Sequence, residues 1–259
     1  MTDNPERPAL PPGIALAWGI TQRPRRGPKP GLSVERIVER AIELADADGL
    51  AALSMSRLAK ELGFTAMSLY RYVAGKDELL VLIADAAGGP PPPMAAPDWR
   101  SGLASWVRDQ LAVLRAHPWM VEIPITGAPL NPSAVAWMET GLQAMATSGL
   151  REDEKMGIIQ LLAGYVRNQA RLELEIMQAF AAAGVSDPVG VSQEYGRVLH
   201  TLIDTDGFPA LSAAVASGVF DSEDDDWDFD VEFGLHRILD GIGVLVETRR
   251  HSRSDEPPS

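Results

Sequence analysis

Apolar residues recur at helical spacing through most of the chain. Val34, Ile37, Val38, Ala41, Ile42 and Ala45 fall on one face of a helix. Ser33 precedes them as an N-cap, and Gly49 stops the helix after Asp48. A second helix opens at Leu53 with Ser54 as its cap and ends at Gly63. Thr65 caps a third, short helix that reaches about Val73. Gly75 and Lys76 form a turn. Asp77 and Glu78 then put negative charge in the first turn of a fourth helix, where the helix dipole favours it. That helix continues through Leu79, Leu80, Leu82, Ile83 and Ala86.

Gly88-Gly89-Pro90-Pro91-Pro92-Pro93 breaks the pattern with a stretch of polyproline character. Beyond it the spacing predicts helices over residues 99–116, 133–148 and 151–182, with His117 and Pro118 interrupting after the first and residues 124–132 irregular. The third of these has apolar residues on nearly every side, among them Met156, Ile158, Ile159, Leu161, Leu162, Val166, Leu172 and Met177. A helix of that kind is expected to be enclosed by several neighbours. Shorter helices follow over residues 192–203 and 209–216, then an acidic loop at 221–230 and a last helix over 229–248. Alternating runs of β-branched residues are absent, so the fold is predicted to be all-α.

Residues 1–32 are rich in Pro and Gly, show no periodicity and read as a flexible arm. They end in a basic stretch that includes Arg25, Arg26 and Lys29. The organisation predicted is therefore an arm (1–32), a first helical domain (33–88), a Pro-rich linker (89–98), a second helical domain (99–249) and a tail (250–259). A signal-peptide core at residues 9–20 is rejected, because Pro11, Pro12 and Gly13 break it.

Charge alters this picture in one respect. The net charge of −13 disfavours nucleic acid at first sight. Residues 1–80, however, carry a net of +1 and residues 81–259 a net of −14. A locally basic head on an acidic body still binds DNA through the head, while the body suppresses unspecific adhesion. There are no cysteines, which excludes disulfides and thiolate metal sites and suits a reducing cytoplasm. No apolar run is long enough to span a membrane.

Residues 54–73 carry the chemistry. A helix-turn-helix crosses two helices steeply through a very short turn. Its first helix needs a small residue at the crossing, and Ala59 stands there. Its turn needs a residue at ease with positive φ, supplied by Gly63 four positions on. Its second helix must return an apolar residue to the crossing, and Leu69 does so. Leu58, Leu62, Phe64 and Val73 are expected to complete the core. The second helix then exposes Thr65, Ala66, Met67, Ser68, Tyr70, Arg71 and Tyr72. Small residues at its start allow close entry to the major groove, and Arg71 suits guanine. Lys76, Ser54, Ser56 and Arg57 are placed as further DNA contacts, the first two at helix starts whose free N–H groups also attract phosphate.

The stretch from Gly31 to Ala87 resembles the DNA-binding domain of the tetracycline-repressor (TetR) family of bacterial regulators. The carrying residues are Asp48-Gly49-Leu50, Leu53-Ser54-Met55, Leu58-Ala59, Leu62-Gly63, Ser68-Leu69-Tyr70 and Lys76-Asp77-Glu78-Leu79-Leu80. His117-Pro118-Trp119, Ser148-Gly149-Leu150 and Phe233-Gly234-Leu235 extend a weaker likeness into the body, to the C-terminal class of the tetracycline repressor itself. The resemblance implies a helix-turn-helix DNA-binding domain joined to a ligand-binding and dimerisation domain. It also implies a homodimer that binds a palindromic operator and releases it when a small molecule enters the body. The family's tetracycline–magnesium histidine has no counterpart between Val121 and Leu130, so neither tetracycline nor a metal is carried over.

The expected ligand is small and mainly apolar. It is placed among Trp106, Trp119, Trp137, Met138 and Met145, with Arg167 or Asn168 as polar anchor. The expected dimer seam is Val231, Leu235, Ile238, Ile242 and Leu245 at four-three spacing, with Gly234 and Gly241 allowing close approach. No cofactor is expected. The alternating acids around Asp226 lack the glycine and the closing acid of a calcium loop, and the four histidines form no zinc pattern. Two rival readings are an architectural DNA-binding protein without a ligand and a helical enzyme. The long acidic body argues against the first, and the lack of converging acid, base or nucleophile argues against the second.

Overall fold

The computed structural model describes residues 10–20, 31–184, 188–221 and 227–254, and all regular structure in them is helical. Two helices of the head begin at the predicted caps. Ser33 Oγ accepts from Arg36 N at 3.2 Å and starts α2 (Val34–Asp48). Ser54 Oγ accepts from Arg57 N at 3.2 Å and starts α3 (Met55–Leu62). Before these lies α1 (Pro12–Ala17), and after them come α4 (Ala66–Leu69) and α5 (Lys76–Gly88). Gly63 ends α3 at φ 77°, in the left-handed region where a side chain is disfavoured, and Phe64 N closes the turn on Ala59 O at 2.9 Å. Ile37, Ala41, Leu58, Leu69, Val73, Leu79 and Ile83 are fully enclosed and form the core on which these helices meet.

Two local expectations are revised here. The stretch 1–32 contains a helix: Pro12 opens α1, Ile14 is buried, and α1 lies along α5. A Cβ on Gly13 would stand 3.3 Å from Val81 Cβ, so the glycine permits the close approach. Trp18 Nε1 donates to Leu130 O at 2.7 Å, and Leu32 is sealed in the core. A helix of under two turns shows no periodicity and is stable only when docked. The third helix ends earlier than Val73. Tyr70, Arg71 and Tyr72 form turns, and Val73 folds back into the core.

The body begins with α6 (Trp99–Ala116), capped by Asp98, which accepts from both the N–H and the hydroxyl of Ser101 at 2.9 Å. A 3₁₀ segment (Pro118–Glu122), α7 (Pro132–Ala144) and α8 (Glu152–Ala183) follow. Gly141 marks a close crossing: a Cβ there would collide with Ile159 Cδ1 and stand 3.0 Å from Trp106. The chain continues through α9 (Pro188–Leu202) and α10 (Pro209–Ala216) to α11 (Trp227–Ser254). This last helix starts inside the predicted acidic loop and overruns both Thr248 and the predicted start of the tail.

By internal contacts the chain divides into two units. One comprises residues up to 171 together with those from 241 onward, and the other residues 172–240. In the second unit Tyr195 and Phe220 meet edge-to-face at 5.3 Å, and Gly196 lets them do so. Phe229 stacks near Phe233, whose ring also carries the Arg237 guanidinium at 5.5 Å. Among the described residues no helix is long and apolar enough to cross a membrane.

The long helix α8 is not enclosed all round. Ile158, Ile159, Leu162, Val166 and Ala170 are buried, whereas Met156, Leu161, Leu172 and Met177 are exposed. The apolar surplus read from the sequence is real, and the single chain leaves half of it uncovered.

Candidate nucleic-acid interface and ligand region

The exposed surface of the head centres on the turn after α3. Thr65, Met67, Tyr70, Arg71 and Lys76 are exposed, Met67 by 74%. Thr65 Oγ1 and Ser68 Oγ lie 3.0 Å apart, so the third helix begins with a pair of hydroxyls instead of a side-chain cap. Arg71 and Lys76 make no ion pair among the described residues. Lys76 begins α5 with no side-chain cap before it, which leaves that helix's first N–H groups open. Two cations without an ion pair among the described residues, two hydroxyls and a helix start thus follow one another between the end of α3 and the start of α5, the group types that phosphate and base contacts use.

Other predicted contacts are placed less simply. Ser54 and Ser56 are exposed, but Ser54 also caps α3. Arg57 is drawn into an ion pair with Asp48. Ala66 and Tyr72 pack against the head core, while Phe64, expected in the core, is half-exposed. Arg25, Arg26 and Lys29 lie outside the described residues. Elsewhere on the head, Arg40 bonds Glu43 at 2.5 Å and Glu61 at 2.7 Å. Those bonds hold the guanidinium above its ordinary pKa and the Glu61 carboxyl below its own.

The body clamps onto this head through carboxylates that sequence reading passed over. Asp46, near the end of α2, accepts from Trp119 Nε1 at 2.6 Å, and His117 Nδ1 lies 2.8 Å from the same oxygen. Asp85, near the end of α5, accepts from Ser133 N at 2.7 Å and Asn131 Nδ2 at 3.1 Å. Both acids sit at the wrong end of a helix dipole, which was the available signal that each has a specific partner.

The predicted ligand residues separate into three groups. Trp106 and Trp137 wall a cavity beneath the proline-rich segment. Trp119 and Met145 are sealed in the interior, Trp119 among the head's core residues, and Met138 is half-buried. Arg167 is occupied: it donates to the carbonyls of Met120 at 3.3 Å, Val121 at 2.8 Å and Ile123 at 2.7 Å, and burial lowers its pKa, with Arg171 adding to the shift. Asn168, next to it on α8, is exposed and lines neither of the cavities by the strap. Among the described residues no group of three or more potential ligands could hold a metal.

The residues of the predicted dimer seam are mostly covered by their own chain. Val231, Leu235 and Ile242 are buried within the chain, and Ile238, Leu245 and Gly234 are half-buried. Only Gly241 of that set is exposed. Four-three spacing reports that a face is covered and is silent about whether the same chain or another covers it.

A helical head in which α3 and α4 meet through a left-handed glycine turn, with α4 followed by an exposed, cation-bearing surface, defines a helix-turn-helix DNA-binding protein. Comparison with known proteins narrows the class. The family model described as bacterial regulatory proteins, tetR family, matches residues 37–88, and that described as tetracyclin repressor-like, C-terminal domain, matches residues 92–246. The HTH-type transcriptional repressor DrrR1 of Streptomyces coeruleorubidus is 38% identical over 244 residues, 92% of this chain and 87% of that protein. An HTH-type transcriptional regulator of Saccharopolyspora erythraea is 28% identical over 220 residues, 84% of this chain and 87% of its own length. The TetR family protein ActR of Streptomyces coelicolor, in complex with actinorhodin, superposes with a TM-score of 0.68 at 30% identity, covering 81% of this chain and 94% of ActR. The chain belongs to the tetR family of bacterial regulatory proteins and is a DNA-binding transcriptional repressor of that family, not an enzyme.

Proposed function

We propose that the protein acts as a homodimer that holds a palindromic operator and releases it when a small, mainly apolar molecule binds the body. The observation that carries the DNA half of this reading is the cluster of unpaired Arg71 and Lys76 beside the open start of α5. With α4 in the major groove, Arg71 reads a base edge and Lys76 holds a phosphate. Ser54, Ser56, Thr65 and Tyr70 supply further backbone contacts, and Arg25, Arg26 and Lys29 a supplementary one. The ligand half rests on the ActR complex and on the cavity that Trp106 and Trp137 wall.

The dimer surface proposed now is the outward face of α8 and of the end of α11. Leu161 is 54% exposed and Val244 66%. Gly157, Gly164 and Gly241 on the same outward side have no neighbour where a Cβ would stand, so a second chain can approach closely. Two helices from each protomer then make a four-helix interface. Such a dimer must set its two recognition helices about 34–36 Å apart, and a ligand that changes that distance weakens binding.

Titration of the operator against wild type and Arg71→Ala tests the reading. A loss of about 1–3 kcal/mol on the cognate site with relaxed base preference is expected. Lys76→Ala should weaken all sequences alike and flatten the salt dependence. Unchanged affinity in Arg71→Ala would mean that α4 is not the reading element.

A further inference from the structure

The segment between α5 and α6 forms an irregular strap containing Pro90 to Pro93 and Pro97. Against it lie two cavities of about 320 and 350 Å³, which share Pro92, Asp109 and Trp137 and therefore adjoin. Together they fall within the size range of small-molecule sites. Their walls are proline rings, Met94, alanines and the indoles of Trp106 and Trp137.

The polar groups of this site are asymmetric. Prolines have no N–H, so that much of the strap offers carbonyl acceptors and no backbone donors. The side-chain donors lining the first cavity are already engaged. Trp106 Nε1 donates to Trp137 O at 2.8 Å, and Trp137 Nε1 to Gly88 O at 3.1 Å. Ser101 Oγ donates to Asp98 at 2.9 Å, Ser105 Oγ to Asp109 at 3.3 Å, and Thr140 Oγ1 to Ala136 O at 3.0 Å. In the second cavity His117 is held by Asp46. No Lys or Arg lines either cavity, and Asp109 is the one carboxylate in both. Its recorded partner is the long bond from Ser105.

We infer that this strap covers a binding site for a flat aromatic molecule carrying a positive charge, with Asp109 as its counter-ion and Trp106 and Trp137 as its ring contacts. A site whose side-chain donors are engaged and whose one charged group is a carboxylate disfavours anions and rewards a charged donor, and the neighbouring indoles add attraction for a cation. This names the ligand class for the ligand-responsive reading above and rests on it. It also gives the ligand a lever: Trp137 is bonded to the last residue of α5, the helix that leads out of the head.

The test uses the free full-length protein and three acridines of one ring system, measured by tryptophan quenching and calorimetry near pH 7. They are 9-aminoacridine (cation), acridine (neutral) and acridine-9-carboxylate (anion). The cation should bind about tenfold or more tighter than the neutral ring, and the anion weakest. Asp109→Asn should abolish the cation's advantage and leave acridine binding and the melting temperature unchanged. Ala95→Trp, which fills the first cavity, should weaken both the cation and the neutral ring. Equal binding of cation and neutral ring, a preference that survives Asp109→Asn, or dye binding untouched by Ala95→Trp would each overturn the inference. Gel shifts without dye separate the two readings. Operator binding without cation selectivity refutes the site alone, whereas selectivity without operator binding refutes the repressor mechanism on which it rests.

Discussion

The head and the long body helices use the same kind of sequence differently. In α2, α3 and α5 the main apolar stripe is turned into one shared core, and little of it is left outside. In α8 and α11 one stripe is buried and a second apolar set, including Leu161, Leu172, Phe233 and Val244, stays exposed. The head therefore completes its core within one chain, while the long helices carry apolar surface that the other described residues leave uncovered.

The comparison breaks most visibly at the exposed face. Leu161→Glu combined with Val244→Glu should give monomers by light scattering and abolish operator binding at concentrations where wild type saturates it, while the melting of the head persists. A dimer that survives both changes would place the interface elsewhere. The next effect lies in the head core. Leu58→Ala should cost about 2–5 kcal/mol in chemical unfolding, because the side chain is fully enclosed and the cavity cannot close. A loss under about 1 kcal/mol would show that the head is looser than its packing implies.

The clamp between head and body comes third. Asp46→Ala leaves the Trp119 N–H and His117 without their acceptor and should cost about 1–3 kcal/mol. Asp48→Ala, two residues away, removes only the exposed pair with Arg57 and should change stability by about 0–1 kcal/mol. Equal effects at the two positions would mean that the clamp carries no coupling.

The smallest effect is a pH dependence. The Arg249 guanidinium, with the Arg151 N–H, holds the Glu154 carboxyl below its ordinary value of 4.5. Its contribution is therefore present in full above that value and disappears as the pH falls through the lowered one. The melting-temperature gap between wild type and Glu154→Gln should be constant near neutrality and close on acidification. A gap that widens in acid would contradict the assignment.

The head was legible in sequence because its signals are local. Ser33 and Ser54 cap the helices they precede, Gly49 and Gly63 end them with positive φ, and Ala59 and Leu69 sit at the spacing a tight crossing needs. The body's helices were legible as helices for the same reason. What they pack against was not, since Leu235 and Ile242 have the pattern of a seam whichever chain fills it. Helix α1 escaped notice because it is too short to show a period. The roles of Arg167 and Asn168 could not be told apart, because adjacent residues on a helix point in different directions and nothing local says which one is inward.

The two acids at helix ends also set a rule for recombining parts of such proteins. Asp46 and Asp85 belong to the head, whereas Trp119, His117, Asn131 and Ser133 belong to the body. A chimera joined at the proline strap would keep each half's own core yet separate these carboxylates from their donors. Transplanting this head to change operator choice thus requires a recipient with an indole and a backbone N–H in those places. A recipient without them would yield a protein whose head and body each fold but are no longer tied by these bonds.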